Sequence, residues 1–513
     1  MALTISHRCQ NIAPSPTLAI DARAKEMKAA GVDVIGFGAG EPDFPTPAYI
    51  CDAAKEALDK GMTRYTPAAG TVALRQAICD KLERDNHLHY TPSDIIVSSG
   101  AKHSLYTIFQ CILDPGDEVL IPTPCWVSYP EMVRMAGGVP VFIPSDERNN
   151  FIPTSHDIAA RVTRRTKAII LTSPSNPNGS VWSREQLQFV ADLAVSHPFY
   201  VVSDEIYEKL IYDGQKHVSI AELGEAIKNQ TFVVNGMSKA YAMTGWRIGY
   251  VAGPRNEICA MTSFQSHATS NANSIAQYAA MKALQGDPQC VTDMVAQFEA
   301  RRNAMVEKIN SIPGLSCMKP QGAFYIMLNI TGVMGKTYNG RVIDSSQTFA
   351  ELLLADKHVA VVPGNAFEAE GFCRLLEGAE RPLLVAYNAQ FDLNFLYYLL
   401  KPLGLVSVLR KPRFLDALTV YRDRRDYPHK LCNAIEAYGL TEAENSHRAV
   451  DDARATVLLL EAMAAEKDDL MRYIDLFGTH PKYGLSGKKI SSVTYCPQPY
   501  DRRVPLYELT HTM

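Results

Sequence analysis

Short apolar runs recur along the first half of this 513-residue chain, and each of several runs ends in a loop of polar residues. Three of these runs are residues 168–171, 199–202 and 231–234. Continuous apolar strands are typical of parallel sheets covered by helices on both faces. The pattern therefore predicts an α/β domain whose functional residues lie in the loops at the carboxyl ends of the strands.

The loop after residues 231–234 carries the most informative side chains. It contains Ser238, Lys239 and Arg247, followed by a further apolar run at 248–251. A hydroxyl and a guanidinium together suit one phosphate group. An amine beside such a pair suggests a lysine that holds pyridoxal phosphate as a Schiff base. A lone lysine would be interpreted as a surface residue, but its neighbours favour the cofactor.

Two further loops carry side chains that suit the same cofactor. Asp204 follows the run 199–202 and could pair with the ring nitrogen, while Tyr207 could donate a hydrogen bond to the ring oxygen. Asn176, in the loop after 168–171, offers an amide to that oxygen. Taken singly, Asp204 would be a helix cap and Asn176 a turn former. Their order along the chain favours a shared site.

With these motifs in view, residues 1 to about 370 resemble a class I, fold type I pyridoxal-phosphate aminotransferase, close to the bacterial aspartate aminotransferases. The matching motifs are residues 38–44, 65–70, 173–179, 203–207 and 238–250. The resemblance implies a large α/β domain at 48–285 with a mainly parallel sheet. It also implies a small domain built from 1–47 and 286–370. The implied reaction moves an amino group between an amino acid with an aspartate-like side chain and a 2-oxo acid.

The resemblance also assigns roles to individual residues. Lys239 would be the Schiff-base lysine and the carrier of the substrate's α-proton, with Asp204 on the pyridinium and Tyr207 assisting. The expected cofactor-binding residues are Tyr65, Gly100, Ala101, Lys102, Trp126, Asn176, Asp204, Tyr207, Ser238, Lys239 and Arg247. The expected substrate-binding residues are Gly40, Trp126, Asn176 and Arg374. Tyr65 would reach the cofactor phosphate of a neighbouring subunit, which implies a homodimer. Without the family, Trp126 could equally be a core residue.

The chain departs from the aminotransferase pattern after about residue 366. Arg374 occupies the position of the arginine that grips the substrate α-carboxylate, but residues 376–382 do not resemble the strand and helix expected next. The small domain is therefore expected to lack its last elements. Phe372 and Leu375 would also suit one face of a helix, and in that case Arg374 would point elsewhere.

The last part of the chain, about residues 376–513, resembles part of a proofreading-type 3′–5′ exonuclease of the RNase H-like DEDD group. Residues 383–396 and 447–456 carry the resemblance. It implies Asp392 and Asp452 as ligands of Mg²⁺ or Mn²⁺, with His447 as the base. Standing alone, Asp392 would be a helix cap and His447 a surface residue.

Efficient nuclease activity is nevertheless not expected from this partial α/β module. Two-metal hydrolysis needs carboxylates on both sides of the ion pair, and no Asp-x-Glu motif is found near the junction; residues 342–346 lack the glutamate. Residues 376–513 contain equal numbers of basic and acidic residues, so any binding of nucleic acid should be weak. The basic clusters at 410–413 and 422–425 could touch phosphates, but solvated loops are the simpler interpretation.

Composition indicates the setting in which the protein works. The net charge is −4, and the eleven cysteines show no C-x-x-C spacing, as expected of free thiols in a reducing compartment. No signal peptide or membrane span is expected, so the predicted location is cytoplasmic. Three hypotheses remain: an aminotransferase, a nuclease or nucleic-acid-binding protein with an aminotransferase-derived front half, and an inactive fusion.

Overall fold

The computed structural model describes residues 5–6, 16–38, 40–367, 383–400, 409, 412–426, 428–440, 449–476, 479–480, 484–485 and 505–509. The chain divides into two compact units, Met1–Ala369 and Glu370–Met513. Among the described residues, no helix combines the length and the apolar character that a bilayer crossing requires.

The first unit alternates strands and helices. Its strands are β1 (Ile35–Gly36), β2 (Ile95–Ser98), β3 (Glu118–Thr123), β4 (Val139–Pro144), β5 (Thr166–Thr172), β6 (Tyr200–Asp204), β7 (Thr231–Gly236), β8 (Gly249–Ala252), β9 (Ser316–Cys317), β10 (Leu328–Asn329), β11 (Thr337–Tyr338), β12 (Arg341–Val342) and β13 (Val359–Ala360). Its helices are α1 (Pro16–Ala29), α2 (Ala48–Asp59), α3 (Val72–Asn86), α4 (Ala101–Ile112), α5 (Ser128–Met135), α6 (Ser155–Ala159), α7 (Arg184–Ser196), α8 (Glu225–Lys228), α9 (Arg255–Ala268), α10 (Ser274–Gln285), α11 (Gln289–Asn310) and α12 (Ser346–Lys357).

Seven strands form one sheet in the order β2-β8-β7-β6-β5-β3-β4. Six of them are parallel, and β8 runs antiparallel to its neighbours β2 and β7. The start of β8 therefore lies at the same edge as the ends of the six parallel strands, with Gly249 paired to both Ser98 and Gly236. The predicted mainly parallel sheet is confirmed.

Burial explains why these strands form the centre of the unit. Every residue of β2, β7 and β8 is buried, so both faces of the sheet are covered. One apolar cluster joins these strands to α3 and α10, and a second joins β3, β5 and β6 to α7. Helix starts are set locally: in α7, Ser183 and Gln186 form a capping box that satisfies free backbone N–H groups.

The N-terminal arm and the last part of the first unit meet outside the large sheet. β1 pairs in parallel with β13, and Ala24, Val34, Leu354 and Ala360 form a small apolar cluster. The hairpin pairs β9–β10 and β11–β12 complete this region. The division into a small domain of 1–47 and 286–370 and a large domain of 48–285 stays a prediction.

The second unit contains a two-stranded parallel sheet flanked by helices. Its strands are β14 (Leu383–Ala386), β15 (Arg413–Asp416), β16 (Thr479–His480) and β17 (Gly484–Leu485), and its helices are α13 (Ala389–Leu400), α14 (Ala417–Arg424), α15 (Leu431–Ala437), α16 (Ala449–Glu466) and α17 (Leu506–Leu509). β14 pairs with β15, and β16 pairs with β17. An apolar core that includes Leu415, Leu459, Tyr473 and Tyr507 joins β14 and β15 to α14, α15, α16 and α17.

Candidate active site

The carboxyl edge of the large sheet gathers most of the predicted site residues. Asn176 follows β5, Asp204 ends β6, and Lys239 follows β7. Because β8 is antiparallel, Arg247 enters from the same edge, just before Gly249. The order of strands therefore brings together residues that lie far apart in the chain.

Lys239 lies among charged side chains from four different segments. Its ammonium donates a hydrogen bond to the Gly40 carbonyl. Burial lowers the pKa of Lys239 to about 8, with the Glu41 carboxylate acting against burial and the Arg247 guanidinium adding to it. Asp204 and Lys102 also act on this pKa, so all of these charges lie near the amine. A substantial fraction of the amine is therefore neutral near pH 8, as a nucleophile or base must be.

Asp204 is a buried carboxylate held by two hydrogen-bond donors. Its Oδ2 accepts the hydroxyl of Tyr129 at 2.7 Å, and its Oδ1 accepts the Ile206 N–H at 3.2 Å. The side chain is 4% exposed, and burial raises the pKa of Asp204 to about 6 against the effect of these bonds. A cationic N–H group placed beside Asp204 would favour its ionised form.

Tyr129 and Tyr325 are two site residues that the sequence did not reveal. Tyr129 joins Asp204 to the Thr172 hydroxyl, which lies 2.7 Å away, and its ring meets Trp126 edge-on. Tyr325 shares a 2.6 Å hydrogen bond with the Tyr207 hydroxyl. The only local signal in the sequence was that Tyr129 lies three residues after Trp126. Nothing in the sequence near Tyr325 connects it with Tyr207.

Tyr207 remains a neutral hydroxyl that can donate a hydrogen bond. Burial and then Tyr325 raise the pKa of Tyr207 well above 10. Gly40 lies close to this pair, since a Cβ atom at Gly40 would come within 3.0 Å of the Tyr325 hydroxyl. The predicted substrate-binding Gly40 therefore lies beside both Lys239 and the tyrosine pair.

The turn at Gly100 is shaped to receive an anion. Gly100 has a φ of 89° and packs against the guanidinium of Arg247, so a Cβ atom there would collide with it. Arg247 also donates a 2.8 Å bond to the Thr244 carbonyl. Helix α4 begins at Ala101, and the first N–H groups of a helix, together with its dipole, favour a bound phosphate.

Lys102 and Trp126 lie together beside this turn. The Lys102 ammonium lies 4.7 Å from the centre of the Trp126 ring. Burial and the nearby Arg247 both lower the pKa of Lys102. An anion bound between two adjacent cations would stabilise their charged forms.

Of the other residues predicted for this site, the structure describes Tyr65 and Ser238. Tyr65 is 89% exposed, so in the single chain it is free to meet another molecule. Ser238 is buried in the loop before Lys239. Arg374 and His447 lie outside the described residues, and their predicted roles stay predictions.

These residues suit pyridoxal phosphate on structural grounds. The buried Asp204 carboxylate can pair with a protonated ring nitrogen, and the contact between Gly100 and Arg247 lies at a helix start where a phosphate can bind. The Lys239 amine, whose pKa is lowered, lies near both. The residue-level roles remain predictions, but the three chemical requirements of the cofactor are present in one place.

Comparison with known proteins decides the family. A family model described as aminotransferase class I and II matches residues 32–379. The chain belongs to this family. It is 50% identical over 371 residues to the aspartate aminotransferase of Bacillus sp. (strain YM-2), covering 72% of this chain and 94% of that protein. The resemblance to aminotransferases that the motifs indicated is thus confirmed, and the family is one that works with pyridoxal phosphate.

Two further relatives agree with the assignment. The chain is 43% identical over 376 residues to the aspartate/prephenate aminotransferase of Nitrosomonas europaea, covering 73% of this chain and 95% of that protein. A solved structure of the aspartate aminotransferase from Thermus thermophilus with maleate has a TM-score of 0.67 and 42% identity, covering 71% of this chain and 93% of that one.

A second family model, described as exonuclease, matches residues 360–460. The predicted exonuclease-like domain is therefore present, and its model overlaps the aminotransferase model at 360–379. Asp392 lies in the first turn of α13, and burial raises its pKa, with Asp416 adding to the effect. Asp452 lies in α16, and its Oδ1 is buried without a hydrogen-bond partner among the described residues.

Asp416, which lies between these two positions in sequence, has a structural role. Its carboxylate accepts backbone N–H groups of Asn388 at 2.8 Å and Leu418 at 3.1 Å, and the hydroxyl of Thr419 at 2.9 Å. These bonds tie the turn after β14 to the start of α14. The Asp416 carboxylate is therefore used to hold the backbone of this turn.

Proposed function

We propose that this aminotransferase moves the amino group of an acidic amino acid to a 2-oxo acid, with Lys239 as the Schiff-base lysine and proton carrier. The observation that carries the proposal is the Lys239 amine, which has a pKa lowered to about 8 and lies among Glu41, Arg247 and Asp204. When bound, pyridoxal phosphate supplies a carbonyl that condenses with amines and a ring that accepts electrons.

The other side chains hold the reactants in place. Asp204 pairs with the ring nitrogen, and Tyr207 and Asn176 donate hydrogen bonds to the ring oxygen. Ser238, Arg247 and the turn Gly100–Lys102 bind the phosphate, and Trp126 covers the ring. Lys239 would take the α-proton of the substrate, because its amine has a pKa lowered to about 8 and can therefore act as a base near neutral pH.

The charges around the site favour an acidic substrate. Lys102 and Arg247, which are proposed to hold the cofactor phosphate, also add positive potential near the Lys239 amine, and that potential attracts anionic substrates. The relatives point the same way, because two of them are aspartate aminotransferases and the one from Thermus thermophilus was solved with maleate, a dicarboxylate. Arg374 is proposed to bind the α-carboxylate of the substrate.

The proposed assembly rests on an exposed tyrosine, and the proposed location rests on the cysteines. We infer a homodimer in which the exposed Tyr65 reaches the phosphate site of the second subunit. The cysteines that the structure describes are all free thiols, which supports a reducing, cytoplasmic location.

The central test replaces the proposed Schiff-base lysine. Lys239→Ala should remove both the visible absorbance of the bound cofactor and the transfer of amino groups, since the other amine of the site, Lys102, is assigned to the phosphate turn. Lys55→Ala, at a surface lysine paired with Asp52, is the matched control and should behave as wild type. Full transfer activity in Lys239→Ala would refute the assignment.

Substrate preference is tested by comparing amino donors. With 2-oxoglutarate as acceptor, kcat/KM for aspartate should exceed that for alanine by at least about tenfold, because one charged contact is worth more than 1.4 kcal/mol. Prephenate is tested as an alternative amino acceptor, with aspartate or glutamate as donor, because the Nitrosomonas europaea relative is an aspartate/prephenate aminotransferase. Equal values for aspartate and alanine would contradict an acidic-substrate site.

A weak nucleic-acid function of the second unit is the alternative. Asp392 and Asp452 would bind Mg²⁺ or Mn²⁺ and His447 would activate water, as in the exonucleases that the unit resembles. We propose that the unit has no efficient nuclease activity, because the carboxylates of the first exonuclease motif are missing from the sequence near the junction.

A further inference from the structure

A buried cluster of charged side chains lies next to the segment that carries Asp204 and Tyr207. Glu205 and Glu208 belong to the same segment, and they are only 1% and 7% exposed. Lys81 of α3 and His217, from the loop before Ser219, complete the cluster, with side chains 4% and 7% exposed. Nothing in the proposed reaction uses these four groups.

Hydrogen bonds and ion pairs connect the cluster in two halves. Glu208 forms an ion pair with Lys81, and both contact Asn86, with Lys81 donating at 2.7 Å and Asn86 donating to Glu208 at 2.8 Å. Glu205 accepts the hydroxyls of Ser203 at 2.9 Å and Ser219 at 2.6 Å.

The second oxygen of Glu205 faces a histidine. Its Oε2 lies 3.0 Å from Nε2 of His217. Neither ring nitrogen of His217 has a hydrogen-bond partner of good geometry among the described residues, so this contact is an ion pair rather than an aligned hydrogen bond. The Glu205 N–H also donates to the Val234 carbonyl at 2.8 Å, which ties this residue to β7, the strand before Lys239.

Charge counting determines the protonation of His217. Lys209 also acts on Glu208, but it forms its own 2.8 Å ion pair with Asp85, so these two charges cancel. Two ionised carboxylates and the Lys81 ammonium would then leave one buried negative charge without compensation, and an unpaired buried charge is strongly destabilising. An imidazolium at His217 brings the sum to zero. Glu205, Glu208 and His217 also offer ligand atoms within 4.8 Å of one another, but Lys81 already supplies a cation there.

The pKa directions agree with this count. Burial alone would lower the pKa of His217, but Glu205 and then Glu208 outweigh it and raise the pKa, with Lys81 opposing them. The pKa of Glu208 falls to about 2 against the effect of burial, because Lys81 and then His217 stabilise its charge. Tyr90 and Tyr250 also face the carboxylates, and burial raises their pKa values, so both stay neutral.

We propose that His217 is a positioning residue of the aminotransferase site. As an imidazolium it neutralises Glu205, and Glu205 in turn fixes the backbone on which Asp204 and Tyr207 stand. This inference rests on the proposed roles of Asp204 and Tyr207 in holding the cofactor. His217 itself touches neither the cofactor-binding side chains nor the substrate site.

The test uses two variants that differ in charge balance. His217→Gln removes the positive charge and leaves Glu205 uncompensated. The double variant His217→Gln/Glu205→Gln removes both charges and keeps a side chain able to accept from Ser203 and Ser219. Pyridoxal phosphate affinity of the apoprotein is measured at pH 7 by absorbance titration, together with thermal unfolding without cofactor.

His217→Gln should raise the dissociation constant of pyridoxal phosphate on the order of tenfold and lower the unfolding temperature, because a buried charge loses its partner. The double variant should return both values to within about threefold and a few degrees of wild type, because its charge balance is restored. The rescue separates a charge role from simple packing.

The pH profile gives an independent readout. A raised His pKa means that the contribution of the imidazolium is complete below the ordinary value of 6.5 and is lost as pH rises through the higher folded value. The wild-type protein should therefore lose cofactor affinity relative to the double variant as pH rises from 7 to 9. Lys239 and Asp204 titrate in both proteins, so their effect cancels in the ratio of the two dissociation constants.

Four outcomes would overturn the proposal. They are wild-type affinity in His217→Gln, no rescue in the double variant, a wild-type to double-variant ratio that does not change with pH, and a stoichiometric metal ion found by elemental analysis of the wild-type protein. If His217→Gln is insoluble, a soluble double variant supports the charge argument, and insolubility of both contradicts it. Failure of the wild-type protein to bind pyridoxal phosphate would instead refute the proposed function.

Discussion

The hydrogen bond from Tyr129 to Asp204 should set the pH range in which the cofactor binds. Tyr129→Phe removes this 2.7 Å bond to a carboxylate that is already buried and has a pKa of about 6. A hydrogen bond to a charged group contributes roughly 1.5–3 kcal/mol, so its loss should raise the pKa of Asp204 by roughly one to two units. The carboxyl group of the free variant would then titrate between about pH 7 and 8.

This shift predicts the size of the binding defect. Cofactor binding needs the ionised carboxylate, and at pH 7 the ionised fraction should fall from about nine-tenths in wild type to between about one-tenth and one-half in Tyr129→Phe. The dissociation constant of pyridoxal phosphate should therefore rise about twofold to tenfold at pH 7, and more at pH 6. At pH 9 both proteins are ionised, so the two constants should converge.

The sign of the effect follows from the direction of the pKa shift. Burial raises the pKa of Asp204 above its ordinary value of 3.8. Without cofactor, the protonated group is therefore favoured in the folded chain, and its contribution to stability is lost as pH rises through about 6. Raising the pKa further makes the protonated form persist to higher pH, where it competes with binding of a cationic ring.

Tyr200 provides a matched control, because it lies on β6, the strand that ends in Asp204. The Tyr200 hydroxyl also donates a 2.7 Å bond to a carboxylate, that of Glu257, but at the opposite end of β6. Absorbance titrations of the apoproteins from pH 6 to 9 would compare wild type, Tyr129→Phe and Tyr200→Phe. A Tyr129→Phe to wild-type ratio that stays constant with pH would refute the reasoning, as would an equal defect in Tyr200→Phe.

Three further predictions concern the cofactor, the assembly and the second unit. Asp204→Ala should lower kcat on the order of 10²- to 10³-fold, since the ring loses its electrostatic partner, and normal turnover would show Asp204 to be structural. Tyr65→Phe should weaken cofactor binding, and mixing it with Lys239→Ala should restore wild-type affinity in one of the two sites of each mixed dimer; absence of this complementation would contradict a shared site. The whole protein should not degrade a labelled single strand with Mg²⁺ or Mn²⁺, and degradation lost in Asp392→Ala/Asp452→Ala would contradict the inactive assignment.

The loops that carry the candidate site were predictable because they depend on local pattern. Asn176, Asp204 and Lys239 each follow an apolar run, and parallel strands present their carboxyl ends at one edge. The family followed from the same segments. The first strand and helix described in the second unit, β14 and α13, were also predictable. An apolar run typical of a strand is followed within a few residues by a segment typical of a helix.

The contacts within the site were decided by the tertiary structure. Strand composition does not specify the order of strands in a sheet, and only that order brings Arg247 to Gly100 through the antiparallel β8. The pairing of Tyr207 with Tyr325 spans 118 residues, and that of Tyr129 with Asp204 spans 75. No local pattern connects such residues.

The buried charged residues show most clearly the difference between what the sequence determines and what the tertiary structure decides. By itself, the sequence determined that Asp204 and Lys239 would stand at or just after the ends of two strands that follow one another in the chain, since apolar runs and their loops are local properties. Only the tertiary structure decided that Lys81 and His217 would close around Glu205 and Glu208. The physical reason is that the protonation of a buried group depends on every charge packed around it, and those charges come from helices and loops that the fold alone brings together.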